Sequence, residues 1–158
     1  MDATERHRTS ARVLLFDVQG SVLLIRFVVL RTEGEFAFWA TPGGTVEKDE
    51  TVEHAARREL QEELAIAVKL FGPVHEAYSE FEHEGHHARN TDVFFVGRFQ
   101  GEEIKLSGTS PGEGGAMRDF RWWSAMGLEH STEMFLPPEL PRLVVRYANI
   151  APSCVVEP

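Results

Sequence analysis

Residues Gly43–Ile66 read GGTVEKDETVEHAARRELQEELAI, and the reading of this stretch decides the fold. Pro42-Gly43-Gly44 predicts a turn. Asp49 and Thr51 both carry side-chain oxygens suited to accept from the free N–H groups at a helix start, so either is an expected cap for a helix from about Val52 to Leu64. With Val52 at zero and about 100° per residue, Ala56, Leu60 and Leu64 fall near 40°, 80° and 120°, an apolar stripe. Glu59 and Glu63 fall near −20° and 20°, and Glu62 near −80°, while His54, Arg57 and Gln61 take the opposite side. Two of the three acids therefore border the buried stripe.

That placement is costly. Glu59 and Glu63 form an i,i+4 like-charge pair, destabilising by about a few tenths of a kcal/mol even when exposed. Glu62 and Glu63 also lie in the last turn, at the negative end of the helix dipole. Partial burial raises both costs. A hard cation with oxygen ligands relieves them, and Mg²⁺ is the usual choice where a substrate brings phosphates. The plain alternative is a solvated acidic helix face, and the position of Glu59 and Glu63 beside the apolar stripe argues against it. Gly44 is read first as a turn glycine; a backbone bare of side chain there also lets a carbonyl or N–H approach metal or phosphate.

The rest of the chain sets limits. Its 158 residues suit one domain with a sizeable core. The formal net charge is −9, which gives no basic footprint for a nucleic-acid backbone. A small phosphorylated ligand stays compatible, because bound divalent ions reverse the local field. No apolar run approaches the roughly 18 residues of a membrane span, and MDATERHRTS at the N-terminus has no signal-peptide core. A cytoplasmic protein that binds neither membrane nor nucleic acid is the expectation. The single Cys154 forms no internal disulfide, in keeping with a reducing compartment.

Along the chain, residues 1–10 read as a loose leader, 11–150 as one domain and 151–158 as a tail. Ala11–Asp17 and Ser21–Leu30 are β-rich runs joined around Gly20, a predicted hairpin. Phe36–Thr41, Ile66–Phe71, Val74–Phe81, Thr91–Phe99 and Asp119–Trp123 read as strands, and Glu103–Leu106 as a short edge strand. Glu82–Asn90 reads as a polar loop and Gly108–Gly115 as a glycine-rich one. Pro138–Asn149 reads as a helix with Leu140, Leu143, Val144 and Tyr147 on one face. The order predicts an α/β sandwich around a mixed sheet.

Residues Gly44 to Ile66 resemble the signature of the Nudix hydrolases, G-x5-E-x7-R-E-U-x-E-E-x-G-U with U bulky and apolar. Gly44, Glu50, Arg58-Glu59-Leu60, Glu62-Glu63 and Ile66 match it, and Ala65 stands where the family has glycine. Trp39 to Gly44 is similar to the family's approach to this box, with Thr41 where an apolar residue is common. Glycine at 65 would let the helix end left-handed at little cost; alanine is expected to alter the exit while leaving the carboxylates in place.

The resemblance implies a Nudix-type α/β/α sandwich and hydrolysis of a phosphoanhydride in a nucleoside diphosphate linked to another group. It implies Mg²⁺, with Mn²⁺ as the alternative, held by Glu59, Glu62 and Glu63 with the Gly43 carbonyl. One carboxylate would act as base toward water, Arg58 would orient Glu59, and Glu50 would pair with a basic residue of the box. For Arg58 and Glu50 an ordinary surface salt bridge explains the pairing equally well.

Arg31, ending a strand expected near the Pro42–Gly44 turn, is the candidate phosphate contact, with a solvated arginine as the plain alternative. Glu113 and Asp119 are candidates for a further acid, Glu113 in the glycine-rich loop being preferred. Trp39, Tyr78, Phe81 and Trp122 are candidate platforms for a nucleotide base, although alternating aromatics are more often core. His83, His86 and His87 read as a solvated turn, not a zinc site, since no cysteine assists. The partner is a small nucleotide, with nucleoside triphosphates, nucleotide sugars and ADP-ribose all open. Dimers are common in the family. The competing reading is a noncatalytic nucleotide-sensing module on the same fold.

Overall fold

In a computed structural model of the chain, the structure describes residues 6–83, 86–107, 109–110 and 115–148. Strand β1 (Arg6–Phe16) turns into β2 (Val22–Arg31), followed by β3 (Gly34–Ala40), β4 (Gly43–Thr45) and helix α1 (Val52–Leu64). A long hairpin, β5 (Leu70–His83) and β6 (His86–Arg98), comes next. Then follow β7 (Thr109–Ser110), β8 (Gly115–Trp123), α2 (Ala125–Glu129), β9 (Phe135–Leu136) and α3 (Leu140–Ala148).

The β1–β2 turn forms as the sequence predicts. Asp17 accepts through Oδ1 from the N–H groups of Gln19 and Ser21, each at 2.9 Å, and Gly20 supplies φ +82°. Beyond this turn the two strands part. β1 pairs parallel with β6 and antiparallel with β4, whereas β2 pairs antiparallel with β3 and β8. The sheet is therefore mixed and splayed, with β1 and β2 at its centre. That position explains why Val22, Leu23, Leu24 and Ile25 form an unbroken apolar run: all four are buried, alternately on the two faces.

One face carries α1, whose Ala55, Ala56, Leu60 and Leu64 pack on Val13, Leu15, Leu23 and Ile25. The other carries α3, whose Leu140, Leu143, Val144 and Tyr147 pack on Leu14, Phe16, Leu24 and Phe94. Burying each such aliphatic side chain contributes roughly 1.5–3 kcal/mol. Two helical layers around one mixed sheet make the α/β/α sandwich of the Nudix type.

Several local expectations are corrected. Residues 6–10 are not leader: Arg6 to Ser10 pair with Ala88 to Asp92 of β6; residues 1–5 and the tail 151–158 lie outside the described residues. Gly43-Gly44 is no turn but a short strand, Gly43 opposite Arg12 and Gly44 opposite Ala11. Most of the expected loop at 82–90 is strand, because β5 and β6 stay paired to His83↔His86. Residues 103–106 form no edge strand; Lys105 and Ser107 instead donate their N–H groups to the carbonyls of Leu64 and Glu63 at the end of α1, at 3.0 and 2.9 Å. Among the described residues no helix is long and apolar enough to cross a membrane.

Candidate active site

Helix α1 starts where the sequence places it. Thr51 is the cap, its side chain accepting from the His54 N–H at 3.1 Å. The other end differs from expectation. Ala65 adopts the left-handed conformation itself, φ 59° and ψ 37°, so the family's exit is kept without glycine. The Ile66 N–H reaches back to the Leu60 carbonyl, and Ile66 is fully buried against the α1 core. That burial anchors the chain just past the helix and offsets the backbone cost at Ala65.

The acids line up on one side of α1. Glu63 is 3% exposed, and its Oε1 accepts from the Gly43 N–H at 2.9 Å. Glu59 lies against Gly44: a Cβ on Gly44 would collide with the Glu59 carboxylate. Glu62 is further out, its side chain 59% exposed. The glycine pair thus brings a bare strand edge against two carboxylates of the helix.

Arg58 organises the group. It meets Glu50 through Nε at 2.7 Å and Nη2 at 3.0 Å, and Nη2 also donates to the Thr45 carbonyl at 3.1 Å. Its Nη1 contacts Glu59 at 3.1 Å and Glu62 at 3.2 Å, with Glu47 at 3.7 Å. Glu50 is 7% exposed and Arg58 18%, so the pair is an enclosed bidentate bridge and not the surface bridge the sequence also allowed. The Arg58 hydrogen bond holds the Glu50 carboxyl at a pKa of about 2, with the Glu47 N–H and His54 adding to the effect against the opposing cost of burial. The same bond raises the Arg58 guanidinium further above its ordinary value.

The donor set suits a hard divalent cation. It is all oxygen, and one guanidinium faces Glu47, Glu50, Glu59 and Glu62, an excess of negative charge that a cation would balance. The side chains do not stand as a ready cage: among the described residues no three His, Cys, Asp or Glu form one. Glu59 and Glu62 turn to Arg58, and Glu63 to Gly43.

The other candidates scatter. Arg31 ends β2 opposite Gly34, whereas Ile25 stands opposite Ala40. Its backbone is thus at the hairpin end away from Pro42, about 20 Å along the strand, and not near the glycines as the sequence predicts. Glu113 lies outside the described residues. Asp119 is on β8, its Oδ1 accepting from the Phe120 N–H at 2.8 Å. Trp39 is core, edge-on to Trp123 and donating to Glu133; Trp122 packs on Phe99; Tyr78 is exposed; and the Phe81 side chain lies outside the described residues. His87 pairs with Glu80 at 3.3 Å. The sequence reading missed Glu47 and the Thr45 carbonyl as partners of Arg58, since neither spacing nor periodicity marks them.

The model of the NUDIX domain matches residues 6–143. Among solved structures, the chain is similar to the MutT protein of Methanosarcina mazei Go1, with TM-score 0.70 and 19% identity over 94% of this chain and 98% of that one. It is similar also to the E. coli dihydroneopterin triphosphate pyrophosphohydrolase, with TM-score 0.65 and 18% identity over 90% and 96%. An Ap4A hydrolase from C. elegans follows at TM-score 0.57 and 16% identity over 90% and 96%. No curated protein sequence matches the chain. With the signature carboxylates, the bidentate Arg58–Glu50 bridge and the family match over most of its length, this chain belongs to the Nudix hydrolases.

Proposed function

We propose that the protein is a Mg²⁺-dependent pyrophosphohydrolase that cleaves the phosphoanhydride of a small nucleotide in which a nucleoside diphosphate is joined to another group. One observation carries the reading. Arg58, clamped by Glu50, touches both Glu59 and Glu62 while Gly43 holds Glu63, so a strand edge and one arginine gather the three carboxylates of the signature. The neighbours named for dihydroneopterin triphosphate and Ap4A support a phosphoanhydride as the bond cleaved.

Glu59, Glu62 and Glu63, with the Gly43 carbonyl, would hold the metal. When bound, it neutralises phosphate oxygens and lowers the pKa of an attacking water. The chain's own part is positional. Arg58 fixes the direction of Glu59 and Glu62, and the bare α-carbon of Gly44 leaves room for the Glu59 carboxylate. A carboxylate of this set takes the proton from water as the oxygen attacks phosphorus and the bridging P–O bond breaks, the bridging oxygen leaving with the other phosphate, and Glu113 would serve as an outlying acid. The domain spans 11–150 with residues 6–10 added by β1, and the protein works in the cytoplasm, as a monomer or homodimer, without nucleic-acid or membrane partners.

The test is a panel of nucleoside triphosphates, nucleotide sugars, ADP-ribose and dinucleoside polyphosphates, with Mg²⁺ in ¹⁸O water and products read by mass spectrometry. Metal-dependent turnover with label in one phosphate product, lost in Glu62→Gln, supports the enzyme. Tight metal-independent binding of one compound with no turnover of any would establish a sensor instead.

A further inference from the structure

A chain of polar side chains on β1 and β6 ends at the Thr41 carbonyl, two residues before Gly43, and no part of the signature accounts for it. Arg12 interrupts the apolar run of β1 and stands directly between strands, opposite Gly43 on one side and Phe94 on the other. Its Nη1 donates to the Thr41 carbonyl at 3.2 Å. Its Nε pairs with Asp92 Oδ1 at 3.4 Å, and the same oxygen accepts from Asn90 Nδ2 at 3.1 Å. Asn90 in turn accepts from Ser10 Oγ at 3.3 Å and Arg8 Nε at 3.2 Å. Ser10 and Asn90 are buried. A network anchored on two buried side chains holds its members in fixed directions, since a bond lost there strands a polar atom.

The network bears on the Thr41–Gly43 backbone. The Pro42 carbonyl accepts from the Val13 N–H at 3.0 Å, so Arg12 and Val13 hold successive carbonyls, Thr41 and Pro42. Gly43 lies tight against the same residue: a Cβ there would come within 2.9 Å of Arg12 Cα and Cδ. The Gly43 N–H then points at Glu63 Oε1.

We infer that Arg12, braced by Asp92, is a positioning residue that fixes the Thr41–Gly43 backbone and through it the carboxylate of Glu63. The inference rests on the proposed role of Glu63 in the hydrolytic site. Arg12 acts on that carboxylate through the Thr41–Gly43 backbone, so its loss should act on metal binding and turnover and leave substrate affinity alone.

The experiment compares Arg12→Gln, Asp92→Asn and Arg12→Lys with the parent by three readouts. The first is amide exchange of the Gly43 N–H in ¹⁵N-labelled protein without metal. The second is the Mn²⁺ dissociation constant from water-proton relaxation. The third is kcat and KM on the best compound of the panel. Arg12→Gln and Asp92→Asn are expected to speed Gly43 exchange about tenfold. They are expected to weaken Mn²⁺ and lower kcat about tenfold each, the usual scale for groups behind a metal ligand, with KM within about twofold. Arg12→Lys, which keeps a charged donor for the Thr41 carbonyl, recovers most of the loss. Should Arg12→Gln fail to fold, Asp92→Asn carries the same test from a residue one step further from the Thr41–Gly43 backbone. Unchanged Gly43 exchange and Mn²⁺ affinity with only a lower Tm would overturn the inference, as would a rise confined to KM. A parent protein that neither turns over nor binds Mn²⁺ would sink the hydrolase reading alone, because Gly43 exchange still decides whether Arg12 holds the Thr41–Gly43 backbone.

Discussion

Arg58 and Glu50 face each other through two parallel hydrogen bonds, 2.7 and 3.0 Å long, in a site that leaves Glu50 7% exposed. Glu50 precedes the helix and Arg58 lies midway along it, so the bridge ties the loop after β4 to the helix. Its Oε1 also accepts from the Glu47 N–H at 3.0 Å, closing that loop locally. Because Arg58 is held from behind, its Nη1 presents a fixed edge to Glu59 and Glu62.

Acid stability should report this bridge. The Glu50 carboxyl titrates at about 2 in the folded protein, below its ordinary 4.5. Its contribution is therefore fully present above about pH 4.5 and is lost as pH falls toward about 2. Glu50→Gln is expected to cost about 2 kcal/mol at neutral pH, the scale of a charge-assisted pair replaced by weaker bonds. It should also flatten the fall in stability over that acid window. Urea unfolding at a series of pH values checks both; a parent and variant that lose stability in parallel between pH 4.5 and 2 would contradict the assignment.

Gly44→Ala tests the close approach of strand and helix. The new methyl would meet the Glu59 carboxylate, the far end of a flexible side chain, so the fold should yield by moving that group. Turnover is expected to fall about a hundredfold, a scale reached by small misplacements at a reacting centre. The Tm should change little, since no buried apolar group is lost. A variant of unchanged kcat would mean that Glu59 does not work from this position.

Much of this arrangement was legible because helical periodicity is a local property. The bounds Val52 and Leu64 and the burial of Glu63 beside Leu60 and Leu64 follow from side chains within one helix, and the structure chooses Thr51 over Asp49 as the cap. The misread parts depend on partners distant in sequence. Gly43-Gly44 looks like a turn by residue type, yet Ala11 and Arg12 make it a strand. Arg31 seemed close to the glycines only until the β2–β3 register set it opposite Gly34. Residues 6–10 are polar enough to read as leader, and only their parallel pairing with β6 orders them. Arg12 did leave a signal, a lone cation inside ARVLLF, but its meaning required Asp92 and Thr41.

The carboxylates should separate stability from activity. Glu62 is mostly exposed, and exposed ion pairs contribute about 0–1 kcal/mol. Glu63→Gln keeps an oxygen able to accept from the Gly43 N–H and removes a charge from the negative end of the helix. Both glutamine variants are thus expected to melt within a few degrees of the parent, while metal-dependent turnover falls about a hundredfold or more. Thermal melts beside initial rates decide this. Retained turnover in either variant would remove that residue from the metal set, and a collapse of Tm would mark it as structural.

Ala65 is the position where this chain departs from the signature, and its energetics can be worked through. A non-glycine residue in the left-handed region carries a cost of roughly 1–2 kcal/mol. Glycine there escapes that cost but loses about 0.4–1 kcal/mol through the greater freedom of the unfolded chain. The first effect is the larger, so Ala65→Gly should stabilise the protein by about 0.5–1 kcal/mol. Ala65 is exposed, and its methyl group contributes nothing to the core around Ile66. Turnover should be unchanged, because the Ile66 N–H bond to Leu60 and the direction of Glu63 are the same in both. Urea midpoints measured at equal m-value give the sign; a destabilised Ala65→Gly would show that the helix leaves α1 by a route other than the left-handed turn at 59°.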